Sequence, residues 1–157
     1  MDEVDLKILR ILRENSRDSL GKISEELGIS KATVSRRLAR MEQEGYIAGY
    51  SIITNPSRLG LMKGMISLQV VGTAVNGVIE QLKENKEIES VMRVFGDHGL
   101  ICEVYTKSVD SLYALIQDRI LKIPNVHNVE VDIVIDRMSM NPDAEFEMAR
   151  SQMQTRK

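Results

Sequence analysis

Ser30–Met41 reads SKATVSRRLARM, with four positive charges (Lys31, Arg36, Arg37 and Arg40) and no negative one. Val34, Leu38 and Met41 recur at helical spacing and mark the side that packs inward. Ser30 stands where an N-cap is wanted, because its hydroxyl can take up a free backbone N–H. Just upstream, Leu20, Ile23 and Leu27 form a shorter apolar stripe closed by Gly28, a helix stop. Two helices joined by the short turn Gly28-Ile29-Ser30, the second one basic and one-sided, are the pattern of a helix-turn-helix that reads DNA.

Working outward, Asp2 to Asn15 is a first amphipathic helix carrying Leu6, Ile8, Leu9, Ile11 and Leu12, with Asp2 and Asp5 near the positive end of its dipole. Tyr46 to Ile53 (YIAGYSII) is β-rich and fits a short hairpin or wing. TNPSRLGL, with Pro56 and Gly60, is turn-rich and serves as a linker over 54–61.

Beyond it an order of elements occurs twice. Met62–Val71 alternates as a strand, Val75–Asn85 is a helix and Glu89–Phe95 a strand. After Gly96-Asp97-His98-Gly99 come a strand over Leu100–Thr106, a helix over Asp110–Lys122 and a strand over Val126–Ile135. This βαββαβ pattern predicts a ferredoxin-like sandwich over 62–137, a four-stranded antiparallel sheet with two helices on one face. The fold class is therefore α+β, with residues 1–53 as the DNA-binding domain. Met65, Val71, Met92, Val94 and Tyr105 would leave the second sheet face more apolar than a monomer keeps wet, which predicts sheet-to-sheet dimerisation. From 138 to 157 the chain is expected to be a polar tail, frayed or docked as a helix on a partner subunit. Arg150, Arg156 and Lys157 make it weakly basic.

Bulk properties narrow the field. The 157 residues carry a net charge of −2, 43% hydrophobic and 28% charged residues, as in a soluble globular chain. Residues 1–60 have a net charge of +1 and the rest −3, so clustering, not overall charge, has to attract DNA. No apolar run approaches the roughly 20 residues of a membrane span, and no signal peptide is visible, so a cytoplasmic setting is expected. The single cysteine, Cys102, lies in a strand as a small hydrophobe. His98, His127 and Cys102 form no spaced ligand set, so neither metal nor cofactor is expected. No catalytic motif is present.

With Val34, Leu38 and Met41 turned inward, the residues left to face a major groove are Ser30, Lys31, Ala32, Thr33, Ser35, Arg36, Arg37 and Arg40. The N-terminal end of such a helix meets base edges. Arg36 or Arg37 is suited to fork onto guanine, Thr33 or Ala32 to touch a thymine methyl, and Arg40 to hold phosphate.

These motifs, in this order, resemble the leucine-responsive/asparagine-operon regulator family (Lrp/AsnC, feast/famine regulators) over about residues 2–137. MDEVDLKILRIL is similar to the family's opening. LGISKATVSRRLARMEQEGYIAGY is similar to its recognition helix and the Gly-Tyr landmarks that follow. NPSRLG is similar to its Asp-Pro…Leu-Gly linker, with Asn55 for the acid. KIPNV is similar to its Leu-Pro-Gly-Val turn, with Asn125 for the glycine. The resemblance implies a transcriptional regulator that binds double-stranded DNA as a homodimer, assembles further into octamers, and answers to a small amino-acid-like effector between neighbouring dimers. The loop Phe95-Gly96-Asp97-His98-Gly99-Leu100 lies at that effector position. Gly99 stands where relatives carry an acid, and Phe95 where they carry threonine.

The loop has two readings, a tight hairpin in which the glycines and Asp97 take positive φ, or an effector contact with Asp97 accepting from an amine and His98 as a titrating hydrogen-bond partner. Asp132 is a further pocket candidate. The rivals on this architecture are a tetrapyrrole-binding enzyme resembling sirohaem decarboxylases, which would use His98 or His127, and an architectural DNA-wrapping protein.

Overall fold

The computed structural model describes residues 1–155. The chain divides into two compact units, one comprising residues 1–53 with the chain from 138 onward, the other residues 54–137.

The first unit begins with α1 (Glu3–Glu14), α2 (Leu20–Leu27) and α3 (Lys31–Gln43). Each helix starts on the side chain expected to cap it or one of its kind: Asp2, Ser19 and Ser30 accept from backbone N–H groups of the first turn. The apolar stripes meet in a core of Ile8, Ile11, Ile23, Val34 and Met41, flanked by Leu9, Leu12, Leu27, Leu38 and Ile47. Gly28 ends α2 at φ +64°, in the left-handed region that only glycine enters freely, and so sets the turn between α2 and α3.

Two expectations fail in this unit. The segment 46–53 forms no hairpin: its first amides are spent on α3, with Tyr46 and Ile47 both donating to the carbonyl of Met41, and no ladder follows. Ile52 and Ile53 stand fully out, at 82% and 97% exposure. The expected polar tail is instead mostly a helix, α6 (Ala144–Thr155), and it docks on α1 of its own unit. Phe146 is the reason, since its ring is buried and Arg13 of α1 lies 4.9 Å from its centroid. The ion pairs Arg13–Glu145, Arg10–Asp143 and Arg150–Glu3 surround that contact. Arg156 and Lys157 lie outside the described residues.

The second unit opens with a 3-10 turn, Pro56–Leu59. Asn55 caps it as an acid would, its Oδ1 accepting from the N–H of Arg58 at 3.3 Å. Strands β1 (Met62–Val70), β2 (Ile88–Arg93), β3 (Leu100–Thr106) and β4 (Val126–Val134) alternate with α4 (Val75–Leu82) and α5 (Val109–Asp118). The sheet order is β2-β3-β1-β4, antiparallel throughout, which is the ferredoxin-like arrangement the repeat predicts.

Ile66 and Leu68 of β1 and Leu100, Cys102 and Val104 of β3 point to one side and pack with Val78, Leu82, Leu112, Leu115 and Ile116 of the helices. Gly64 belongs to the same row. A Cβ there would come within 3.1 Å of Val104 Cγ2 on β3, so that side chain would have to give by a few tenths of an ångström. Burial pushes the Cys102 thiol up to about 11, which makes it an inert core residue at neutral pH. Asn125 takes φ +70°, a left-handed conformation that asparagine adopts more readily than other non-glycine residues.

The open face of the sheet carries Met65, Met92, Ile101 and Tyr105, interrupted by a polar centre. There Lys63 meets Glu103 at 2.5 Å, and Ser90 donates to the same carboxylate at 2.8 Å. Val71 and Val94 lie one residue beyond the ends of β1 and β2. Among the described residues no helix is long and apolar enough to cross a membrane.

Candidate nucleic-acid interface

The turn before α3 is held from inside. Ser24 Oγ donates to the carbonyl of Ile29 at 2.5 Å, and the Ile29 N–H returns to the carbonyl of Ser24 at 3.1 Å. Ser30 Oγ accepts from the Thr33 N–H at 3.1 Å and shares a second hydrogen bond with Thr33 Oγ1 at 2.9 Å. The two hydroxyls expected at the reading end therefore form a pre-set pair. Lys31, Ala32, Ser35 and Arg36 stand exposed on the outer side of α3, and Thr33 is half-buried. The stem of Lys31 passes over Gly21 of α2, 3.1 Å from where a Cβ would sit. Arg36 has no ion pair or hydrogen bond among the described residues.

Arg37 and Arg40, expected to contact base and phosphate, are both ion-paired within their own unit. Both turn toward the start of α1. Arg37 Nη1 donates to Asp2 Oδ2 at 2.7 Å and to Asp5 Oδ1 at 2.8 Å, and Arg40 Nη2 donates to Asp5 Oδ2 at 2.5 Å. Asp5 is wholly buried. It also accepts from the Asp2 N–H at 2.8 Å, while Asp2 accepts from the N–H groups of Val4 and Asp5. This reciprocal capping box fixes both carboxylates before the arginines arrive. Burial works against a charged Asp2, but the Arg37 guanidinium and the backbone N–H groups outweigh it and hold its carboxyl below the usual range. Hydrogen bonds to Asp2 and Asp5 push Arg37 upward in turn. Near the other end of α3, Tyr50 donates to Glu42 Oε1 at 2.7 Å; its phenol is pushed up to about 12, by burial first and then by that carboxylate.

In the second unit, the loop from Gly96 to Gly99 joins β2 to β3 and is tied to the open face. Gln69 Nε2 donates to the Asp97 carbonyl at 2.6 Å, Asn128 Nδ2 donates to Gln69 Oε1 at 2.6 Å, and His98 Nε2 lies 3.4 Å from Glu130 Oε1. The Asp97 carboxylate is exposed. Of the loop's residues Gly96 takes a positive φ, +158°, while Asp97 and Gly99 do not. Asp132 is not brought to the loop. It lies on the edge strand β4 opposite Met65, and Glu130 occupies the place beside His98. Asn128 at φ +44° marks the β4 irregularity that shifts the register there.

Comparison with known proteins accounts for both units. The winged helix-turn-helix DNA-binding model matches residues 1–48, and the Lrp/AsnC ligand binding domain model matches residues 64–143. The chain belongs to the Lrp/AsnC family. Among Lrp/AsnC relatives, the HTH-type transcriptional regulator Ptr1 of Methanocaldococcus jannaschii is 34% identical over 86% of this chain and 92% of its own. The regulator LrpA of Pyrococcus horikoshii is 30% identical over 88% and 99%. The structure of AsnC from E. coli superimposes with a TM-score of 0.78 at 24% identity, covering 90% of this chain and 96% of that one, and shows the shared fold. The names of these Lrp/AsnC relatives support regulation of transcription over the tetrapyrrole enzyme weighed above.

The residues that sequence reasoning missed are Asp2 and Asp5 as partners of α3, and Gln69, Asn128 and Glu130 as partners of the loop. The spacing Asp2-x-x-Asp5 was open to view as a capping box. Its reach to α3 was not, since it spans more than thirty residues of chain.

Proposed function

We propose that this regulator binds double-stranded DNA with the outer side of α3. Ser30, Lys31, Ala32, Thr33, Ser35 and Arg36 face the major groove, and Arg36 is the side chain suited to fork onto a guanine. The observation that carries this reading is the contrast within one helix: Lys31 and Arg36 project from the exposed side, and Arg36 is unpartnered among the described residues, while Arg37 and Arg40 are ion-paired to Asp2 and Asp5.

A second copy of the chain covers the open sheet face in this reading. Met65, Met92, Ile101 and Tyr105 supply the apolar area, and the dimer sets two recognition helices about 34 Å apart, in successive major grooves. A small amino-acid-like effector is held near Gly96, Asp97, His98 and Gly99. Asp97 accepts from its ammonium group, and Gly99 leaves open the space an acid fills in relatives. Its binding shifts the assembly of dimers into octamers and, by the same coupling, DNA affinity.

Selecting bound sites from a random DNA pool, with and without each amino acid, yields a pseudo-palindromic sequence in this reading. Arg36→Ala then loses binding to that site while sedimentation still reports the dimer. Unchanged binding by Arg36→Ala, or a pool that never converges, would refute it. Absence of convergence with a steep salt dependence would instead favour an architectural DNA-wrapping role.

A further inference from the structure

Counting formal charges, α3 offers DNA four cations before its acidic end. Two of them are held elsewhere. Asp2, Asp5, Arg37 and Arg40 form one neutral cluster, with Arg37 bridging both carboxylates and Arg40 closing on the second oxygen of Asp5. Asp5 is wholly buried, and the Arg37 side chain is only 23% exposed. The carboxylates are not recruited by the arginines, since the capping box that starts α1 already fixes them.

We propose that Asp5, supported by Asp2, is a specificity-determining residue of this regulator. It withholds Arg37 and Arg40 from the DNA backbone, so that attraction to DNA of any sequence is kept low and binding depends on the exposed reading end, Lys31 to Arg36. This rests on the assignment of α3 as the recognition helix. The physical reasoning is short. Every lysine or arginine that neutralises a phosphate releases counterions, steepens the salt dependence by about 0.9 per phosphate, and does so on any sequence. A guanidinium already bound to a buried carboxylate has no such counterion release to offer. An Asp2-Asp5 pair at the start of α1 therefore trims the sequence-independent part of binding and leaves the base-reading part intact.

The test measures affinity for a selected site and for random-sequence duplex, each across a salt series, in the full-length protein. With Asp5→Asn, the proposal expects random-duplex affinity to rise several-fold at low salt, the slope of log affinity against log salt to steepen by about one to two, and the ratio of selected to random binding to fall. Arg37→Gln/Arg40→Gln, its fold checked by circular dichroism, is expected to keep the wild-type slope. If that double variant flattens the slope by about two, both arginines hold phosphate and the proposal is wrong. It is equally wrong if folded Asp5→Asn, checked by circular dichroism, keeps the wild-type slope and ratio. Should Asp5→Asn fail to fold, the exposed Asp2→Asn takes its place: a steeper slope supports the proposal and an unchanged one overturns it. Arg36→Ala separates the two levels. If it leaves selected-site binding unchanged, the assignment of α3 itself fails; if it abolishes binding while Asp5→Asn behaves as wild type, only the role of Asp5 does.

Discussion

Arg36 and Arg37 are neighbours on α3 and carry the same group, yet the outer side of the helix leaves one in solvent and the inner side pins the other between two carboxylates. The outer side is local chemistry, written in a dozen residues. The inner side depends on a helix that begins thirty residues earlier. A basic stripe in a sequence therefore overstates what a recognition helix presents, by however many cations its own scaffold neutralises.

The largest way to break that contrast is to remove the scaffold's acid. Asp5→Ala strands two guanidinium groups against a vacated buried site and is expected to cost about 3 kcal/mol of stability, near the lower end for a severed buried pair because Arg40 keeps access to water. Urea unfolding checks it, and a loss below about 1 kcal/mol would mean that the cluster is a surface ornament. Next is Arg36→Ala, expected to leave the melting temperature unchanged and to cost about 1–3 kcal/mol in binding a selected site. An equal loss of stability would erase the distinction between the two sides.

Smaller still is Phe146→Ala. With the ring gone, α6 loses its anchor under Arg13 and the first unit loses about 1–2 kcal/mol, less than for a central core aromatic because the site lies at the surface. Limited proteolysis between 138 and 143 should then accelerate; unchanged protection would show that the ion pairs alone hold α6.

The smallest effect lies in the second unit and depends on pH. Lys63 and Ser90 outweigh burial and hold the Glu103 carboxyl below its usual range. Since the folded value is the lower one, the stabilisation is complete above the ordinary carboxylate pKa of about 4.3 and is lost as pH falls through the depressed value. Glu103→Gln should therefore flatten the stability profile between about pH 5 and 3, as read by thermal melts. A wild-type profile as flat as the variant's would count against the pair.

How legible these features were follows from the range of the forces behind them. Helix starts at Asp2, Ser19 and Ser30, the stop at Gly28 and the alternation in β1 and β3 are set within one turn or a few residues, and they stand where the pattern puts them. The segment 46–53 misled because its β-rich composition implied a pairing that its own unit does not provide. The tail misled because a twelve-residue helix with few apolar residues is marginal alone. What makes it fold is a pocket over α1 at the other end of the chain. Glu130, opposite Ser67 and so one same-face step nearer the loop than Asp132 opposite Met65, is the β4 acid that lies beside His98, which needs the strand register and not the sequence alone.

By itself, then, the sequence determined the two folding patterns, the family and the exposed side of α3, since capping, periodicity and exposed side-chain chemistry act over short stretches of chain. Only the tertiary structure decided that Arg37 and Arg40 belong to Asp2 and Asp5, that α6 returns to α1, and that Glu130 faces His98. Each of these joins groups far apart in the chain, and a charge acquires its partner only when packing has chosen its neighbours.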